Sequence, residues 1–289
     1  MFGESKFSVL QKVPERVRAK SALVKVPASV HAVKNAAAEL EISFPFILKP
    51  DIGERGRMVR KVSSDTDIEE YLASINEDFI VQAFLDLPLE FGVFYERHPN
   101  EPTGSVTSIT MKEMLHVVGD GTSTLQELIL AKDRAKLHWH TLKRTFADRL
   151  SVVVNKDEVI ELVSIGNHCL GTTFLNGNHL ITPRLIQSFD RISQEVEGFY
   201  FGRYDLRCGS LRDLEEGNVK VMELNGCGAE PSHIYQPGAS LWDAIRALFR
   251  HWKVIYQISV ANHRLGAPYL SFREGWRIFM DFKNISARA

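Results

Sequence analysis

The chain has 289 residues, 44% of them hydrophobic, with 35 Lys and Arg against 36 Asp and Glu for a formal net charge of −1. That hydrophobic share excludes a disordered chain and suffices for one large core or two to three small ones. The balanced charge gives no argument for bulk attraction to nucleic acid or to an acidic membrane and is uninformative about partners.

The opening MFGESKFSVLQKVPERVRAK carries charge within a few residues and has no apolar signal core. No uninterrupted stretch is long enough to span a bilayer. Cys169, Cys208 and Cys227 are odd in number and lack CxxC spacing, which suits reduced thiols in a cytosol better than a disulfide framework or a zinc site. A cytoplasmic protein is expected.

In chain order, Ser29 caps a helix through VHAVKNAAAELE, whose Ala-rich run favours helix. FPFILKP and RMVRKV read as strands, Asp65 as the cap of a helix through TDIEEYLASI, and FIVQAF and EFGVFYE as two more strands. A soft boundary falls at ERHPNEPTG, separating residues 1–100 from residues 101–289. In the second part, VVGDGTSTLQELI is a Gly-rich loop feeding a helix, with Thr124 and Glu127 at capping-box spacing. Thr182-Pro183 opens a helix running to about Gly198, and the strands of this part are expected from about residue 157 onward. The fold class is α+β.

GRYDLRCGSLRDLEEGNVKVMELNG, residues 202–226, reads as two strands joined by a charged turn. Alternation puts Arg203, Asp205 and Arg207 on one face, and Val219, Val221, Glu223 and Asn225 on one face. If the strands pair, Asp205 and Glu223 converge, and two carboxylates held close need a positive charge between them. A hard divalent cation with oxygen ligands supplies it, Asn225 adding a neutral oxygen. The same pattern also fits a solvated polar face on which Arg203 and Arg207 are ion-pair partners.

Lys49 ends a strand ahead of the turn 51–57, where Gly53 and Gly56 let backbone amides approach an anion, although no Walker A loop is present. IVQAFLDLPLEFGVFY gives strand, short turn and strand, a hinge that can set backbone groups of Ala83 and Leu85 on an adenine edge and Glu90 on ribose hydroxyls; an ordinary hairpin with one solvated acid reads equally well.

A strand lysine before a Gly-rich turn, a strand-hinge-Glu segment, then GRYD followed by MELNG together resemble the ATP-grasp superfamily, in particular its D-alanine–D-alanine ligase branch. The resemblance covers nearly the whole chain. It implies two α+β subdomains clasping ATP, with Arg203 on phosphate and Asp205, Glu223 and Asn225 on two Mg2+ ions, for which Mn2+ can substitute. It also implies Lys6 and Lys49 as the nucleotide lysines and Glu90 as the ribose carboxylate. VVGDGTSTLQELI and GNHCLGTTFLNG are similar to stretches of the cyanophycin-synthetase branch, which puts Lys112 forward for the triphosphate. Gln82 stands where the adenine hinge usually carries Glu. The family's N-terminal substrate domain is absent or reduced, since only MFGES precedes Lys6; a truncated or minimal form, a homodimer, or a partner protein supplying that domain is expected.

The implied activity is a carboxylate-amine ligase working through an acyl phosphate. A kinase with a non-carboxylate acceptor and a non-catalytic ATP-binding module are the other readings. Such chemistry needs positioning and charge neutralisation, not a protein nucleophile, so Cys208 and Cys227 are expected to be structural thiols. His168 and His233 lie in loops where they either touch substrate or are simply solvated. Leu241, Ile245, Leu248, Trp252 and Ile255 form a helical stripe expected to face the core, with Phe249 and Tyr256 widening it toward a partner surface or shallow membrane contact.

Overall fold

The computed structural model describes residues 4–53, 56–163, 166 and 171–288. His168 and Cys169 lie outside the described residues. The chain forms two compact units, one of residues 1–111 with 175–289 and one of residues 112–174. Residue 100 falls inside the first unit, on the loop before the strand that begins at Ser105.

The first unit opens with α1 (Lys6–Gln11), β1 (Ser21–Val24), α2 (Val30–Glu39), β2 (Phe46–Pro50), β3 (Arg60–Val62), α3 (Asp65–Ser74) and β4 (Phe79–Ala83). Ser29 caps α2 by accepting from the Ala32 amide, as expected. The cap of α3 is Ser64 rather than Asp65: Ser64 exchanges hydrogen bonds with Asp67 in a capping box, and Asp65 is the first helical residue. The strands form an antiparallel sheet in the order β1-β4-β2-β3. One face packs under α2 and α3, burying Val33, Phe46, Leu48, Ile68, Tyr71, Phe79 and Val81.

A second sheet has the order β11-β10-β5-β6-β9, from β5 (Leu89–Glu96), β6 (Ser105–Glu113), β9 (Thr173–Asn176), β10 (Phe201–Cys208) and β11 (Lys220–Asn225). α7 (Pro183–Gln194), capped by Thr182 with Pro at its start, and α8 (Leu211–Glu216) cover its apolar face with Phe91, Val93, Tyr95, Tyr204, Leu206 and Cys208. α7 stops at Gln194, short of Gly198. The segment expected as a charged turn between the two acidic strands contains α8, because Ser210 caps it by accepting from Asp213 and Gly217, at φ +77°, ends it in the left-handed conformation only glycine adopts freely. The strand β6 was also missed in the sequence. Its run SVTSITMKE mixes Thr and Ser with aliphatics and shows no clean alternation.

The second unit holds β7 (His116–Val118), α4 (Leu125–Ala131), α5 (Asp133–Lys136), α6 (Trp139–Thr145) and β8 (Val159–Glu161), with its own core around Leu115, Leu125, Ile129, Leu142 and Ile160. Strands thus begin well before residue 157. Thr124 and Glu127 form the expected capping box. The preceding loop is tied by the Asp120 carboxylate, which accepts from the amides and hydroxyls of Thr122 and Ser123. Those four hydrogen bonds, the Ser123 hydroxyl foremost, hold Asp120 well below the ordinary carboxylate range.

The first unit closes with α9 (Leu241–Arg264) and α10 (Phe272–Arg288). The stripe read from the sequence of α9 is met in part: Ile245, Leu248 and Ile255 are half-buried, Ile255 on the cluster of Phe94 and Phe201, while Leu241 and Trp252 are exposed and the deepest positions are His251, Val254 and Ile258, the latter two against Phe94 and Phe201. The apolar positions of α9 occupy two opposite sides of the helix, and spacing alone does not say which side meets the body.

Candidate functional site

The site lies where the helix-free face of the first sheet meets β11. Period-two alternation sends Phe46 and Leu48 of β2, and Phe79 and Val81 of β4, under the helices; Lys49 and Gln82 therefore point the other way. Lys49 is 7% exposed, and its Nζ donates to Gln82 Oε1 at 3.0 Å and to the Met222 carbonyl at 3.1 Å. Gln82 Nε2 donates to the same carbonyl at 3.1 Å. Burial pushes the Lys49 ammonium down to about 8, with Glu223 pulling it back up, Lys6 adding to the fall, and Asp205 and Asp51 opposing it.

That carbonyl is presented by a bulge. Asp205 pairs with Glu223 and Leu206 with Val221, which leaves Met222 as the extra residue on β11. The bulge also corrects the expected parity, since Val221 joins Leu224 in the core while Glu223 and Asn225 stay on the polar face. Asp205 and Glu223 are direct cross-strand neighbours, as the pairing argument required, and Arg203 is opposite Asn225.

Lys6 reaches the cluster from the first turn of α1. Asp51, just past β2, fixes that turn: its Oδ1 accepts from the Ser5 hydroxyl at 3.0 Å and the Phe7 amide at 2.8 Å, and its carbonyl accepts from the Lys6 amide at 3.1 Å. Lys6 Nζ then stands 3.6 Å from Glu223 Oε1.

Arg203 grips Asp205 in a two-pronged pair, Nε to Oδ1 at 3.2 Å and Nη2 to Oδ2 at 3.0 Å, and Asn225 Nδ2 donates to Asp205 Oδ2 at 2.8 Å. Its Nη1 donates to the Glu230 carbonyl at 2.9 Å and to Ser232 Oγ at 2.5 Å. Burial works against the Arg203 charge, but the field and hydrogen bonds of Asp205 outweigh it and raise its pKa. The guanidinium lies across Gly92 of β5, where a Cβ would come within 3.1 Å of Arg203 Cδ and 3.4 Å of Asp205 Oδ1. A lone glycine inside a strand pattern is the signal that could have exposed this close approach.

Farther along the same sheet face, Arg207 Nε donates to Glu90 Oε2 at 2.8 Å and Arg207 Nη1 to the Leu85 carbonyl at 3.0 Å. Lys61 Nζ sits 3.8 Å from the Phe84 ring centroid. Both arginines are thus ion-paired, as the solvated reading of the hairpin proposed, but on a buried face: Asp205 is 6% and Glu90 6% exposed. The Ala83 amide donates to the Lys20 carbonyl at 2.9 Å, inside the sheet.

The structure brings Lys6, Lys49, Gln82, Arg203, Asp205, Glu223 and Asn225 into one cluster, and Glu90 and Leu85 to Arg207. Gly53 and Gly56 lie in the turn after β2, Gly56 at φ +70°; residues 54 and 55 of that turn lie outside the described residues. Lys112 belongs to the second unit, its Nζ 5.9 Å from the Phe174 ring centroid. His233 meets Ser108 across 2.6 Å through Nδ1, next in sequence to the Ser232 that Arg203 holds. Burial, with His251 adding, keeps it below the ordinary imidazole value.

Asp205, Glu223 and Asn225 offer hard oxygen ligands from two paired strands, a donor set whose chemistry fits Mg2+. Among the described residues no group of three or more His, Cys, Asp or Glu is placed to hold a metal ion, so the set is two carboxylates and an amide. In this structure protein cations balance the acids, Arg203 on Asp205 and Lys6 on Glu223.

No family model and no curated protein matches the sequence. Among solved structures, the chain is similar to a bifunctional glutathione synthetase from Pasteurella multocida, at TM-score 0.39 and 16% identity, over 85% of this chain and 35% of that one. It is similar to the ADP complex of PurK, N5-carboxyaminoimidazole ribonucleotide synthetase, at TM-score 0.42 and 14% identity, over 76% of this chain and 44% of that one. A third is the VanG D-Ala:D-Ser ligase from Enterococcus faecalis, at TM-score 0.46 and 12% identity, over 87% of this chain and 62% of that one. The chain spans less than two thirds of each of these proteins.

Proposed function

We propose that this chain is a cytoplasmic ATP-grasp ligase that joins a carboxylate to an amine at the expense of ATP. One observation carries the reading: residues from three distant segments, Lys6, Lys49 with Gln82, and the β10–β11 pair, converge on a cluster with both the cations that phosphates need and the oxygen ligands a divalent metal needs. The motif resemblance assigns the same residues to those tasks.

On this reading Lys6 and Lys49 bind phosphate oxygens, and Arg203 leaves Asp205 for the transferring phosphoryl group. Asp205, Glu223 and Asn225 would hold Mg2+, which would supply charge neutralisation at the phosphates. The γ-phosphoryl passes to a carboxylate oxygen as its bond to ADP breaks. The amine nitrogen then attacks the acyl carbon, phosphate leaves, and the amine gives up a proton. The chain's contribution is orientation and electrostatics.

The test is ADP release measured across paired carboxylate and amine candidates, with the product followed by mass spectrometry. Release that requires both substrates, with an amide product, supports the ligase. Release without amide points to a phosphoryl transfer to another acceptor, and nucleotide binding without turnover to a binding module.

A further inference from the structure

Each of the two C-terminal helices carries an exposed aromatic row that the cluster of Lys6, Lys49 and Asp205 does not use. On α9, His251, Val254 and Ile258 face the body, while Trp242, Phe249, Trp252 and Tyr256 are 73%, 64%, 58% and 70% exposed. At about 100° per residue these four aromatics fall on one side of the helix, opposite the buried residues, and Arg246 and Lys253 form a row beside them. The pattern recurs on α10: Phe272 and Trp276 stack at 6.2 Å, Trp276 and Phe279 meet at 5.8 Å, and Arg273 and Arg277 flank them. Phe272 is 85% and Trp276 56% exposed.

Charge is segregated in the same way. Residues 241–289 hold eight Lys and Arg against three Asp and Glu, in a chain whose totals are 35 and 36. The near-zero net charge therefore conceals a basic, aromatic end on an acidic remainder. No helix among the described residues is long and apolar enough to cross a membrane.

We propose that these two helices dock on the surface of an anionic phospholipid bilayer, the aromatic row of each entering the interface and the flanking arginines and lysines meeting the headgroups. Aromatic side chains on one side of a helix, bordered by basic ones, suit the boundary between acyl chains and headgroups. Each basic residue near an anionic leaflet adds to the attraction, and salt weakens it. A second copy is disfavoured on these helices, since it would set like charge against like charge.

Sedimentation of the full chain with vesicles tests this, comparing phosphatidylcholine alone with phosphatidylcholine mixed with phosphatidylglycerol. Expected are binding to the mixed vesicles only, weakening as salt is raised, and a blue shift of tryptophan emission. Trp252→Ala combined with Trp276→Ala is expected to weaken binding by roughly tenfold or more, burial of each ring contributing on the order of 1 kcal/mol or more; both positions are exposed, so the fold is kept. Arg246→Glu with Lys253→Glu is expected to abolish it. Failure to bind mixed vesicles, equal binding to both kinds, or binding unaffected by the tryptophan changes would overturn the proposal. So would concentration-dependent dimerisation that the same tryptophan changes remove in the absence of lipid.

Discussion

Lys49 and Met222 lie 173 positions apart, yet the ammonium of the first donates to the carbonyl of the second at 3.1 Å, where the β11 bulge turns it toward β2. A charged amine that is almost fully buried on a carbonyl and an amide oxygen is held ready for an anion, because both of its present partners are neutral.

On the proposed function this sets the proton balance of nucleotide binding. With its pKa near 8, Lys49 is partly deprotonated at mildly alkaline pH, and an arriving triphosphate favours the charged form. Binding of ATP near pH 8 is therefore expected to take up a proton, seen as a dependence of calorimetric heat on the buffer's ionisation enthalpy. Lys49→Met should remove the uptake and weaken ATP far more than adenosine; equal losses for both ligands would make Lys49 a structural strand residue. In the absence of ligand the sign is the reverse of a stabilising pair. The unfolded chain holds this proton up to the ordinary lysine range, so the Lys49 contribution to stability rises between about pH 8 and that range.

Asp205 and Glu223 face each other across the strands but sit in different surroundings. Asp205→Asn removes one half of a largely buried pair and is expected to destabilise the unliganded chain by up to roughly 3 kcal/mol, since Arg203 loses the carboxylate it grips and keeps only the weaker fields of Glu223 and Glu230. Glu223→Gln loosens the partly exposed contact to Lys6 at 3.6 Å, worth less than about 1 kcal/mol, and withdraws the field with which Glu223 raises Lys49 and Arg203. With Mg-ATP the order changes: Glu223→Gln should lose most of the thermal stabilisation that Mg-ATP gives the wild type. If that stabilisation persists, Glu223 is a partner of the protein's own cations and nothing more.

Gly92→Ala tests the packing of Arg203. The added methyl group would press on Arg203 Cδ and Asp205 Oδ1, so the guanidinium must shift. ADP release should fall by about tenfold or more, the scale of a small misplacement of a charge-stabilising group, while the melting temperature moves little. Unchanged turnover would remove Arg203 from the proposed role.

The thiols are expected to separate by environment. Burial pushes Cys208 up to about 11, with Asp213 adding, while Cys227 is exposed. Iodoacetamide at neutral pH should label Cys227 and spare Cys208 in peptide mapping, and Cys208→Ser with Cys227→Ser should keep turnover within an order of magnitude. Loss of all activity with the circular dichroism spectrum intact would demand a thiol mechanism.

Much of the site was legible because strand parity is a local property: Arg203 and Asp205 are two residues apart, and so are Glu223 and Asn225, and their pairing needed only that the two strands meet. The bulge at Met222 was not legible, since a single extra residue leaves no mark in composition. It moved Val221 into the core. Arg207 on Glu90 depends on a pairing of β10 with β5 across more than a hundred residues, which periodicity does not encode. The helix α8 was hidden by its charge, its signals being a Ser cap and a terminal Gly. On α9 the spacing was right and the side was turned: Ile255 of the expected stripe packs toward Phe94 and Phe201, but Leu241 and Trp252 look outward, because two apolar faces satisfy the same period.

The Asp51 clasp has a practical side. By holding the Ser5 hydroxyl and the Lys6 and Phe7 amides, it fixes the direction in which the backbone leaves the cluster ahead of Ser5. A group attached at Ser5 would therefore sit one residue from Lys6, which the proposed function sets on phosphate. A spectroscopic label at Ser5 would report on whatever enters the proposed site, and its signal on adding ATP is a readout of occupancy that needs no turnover.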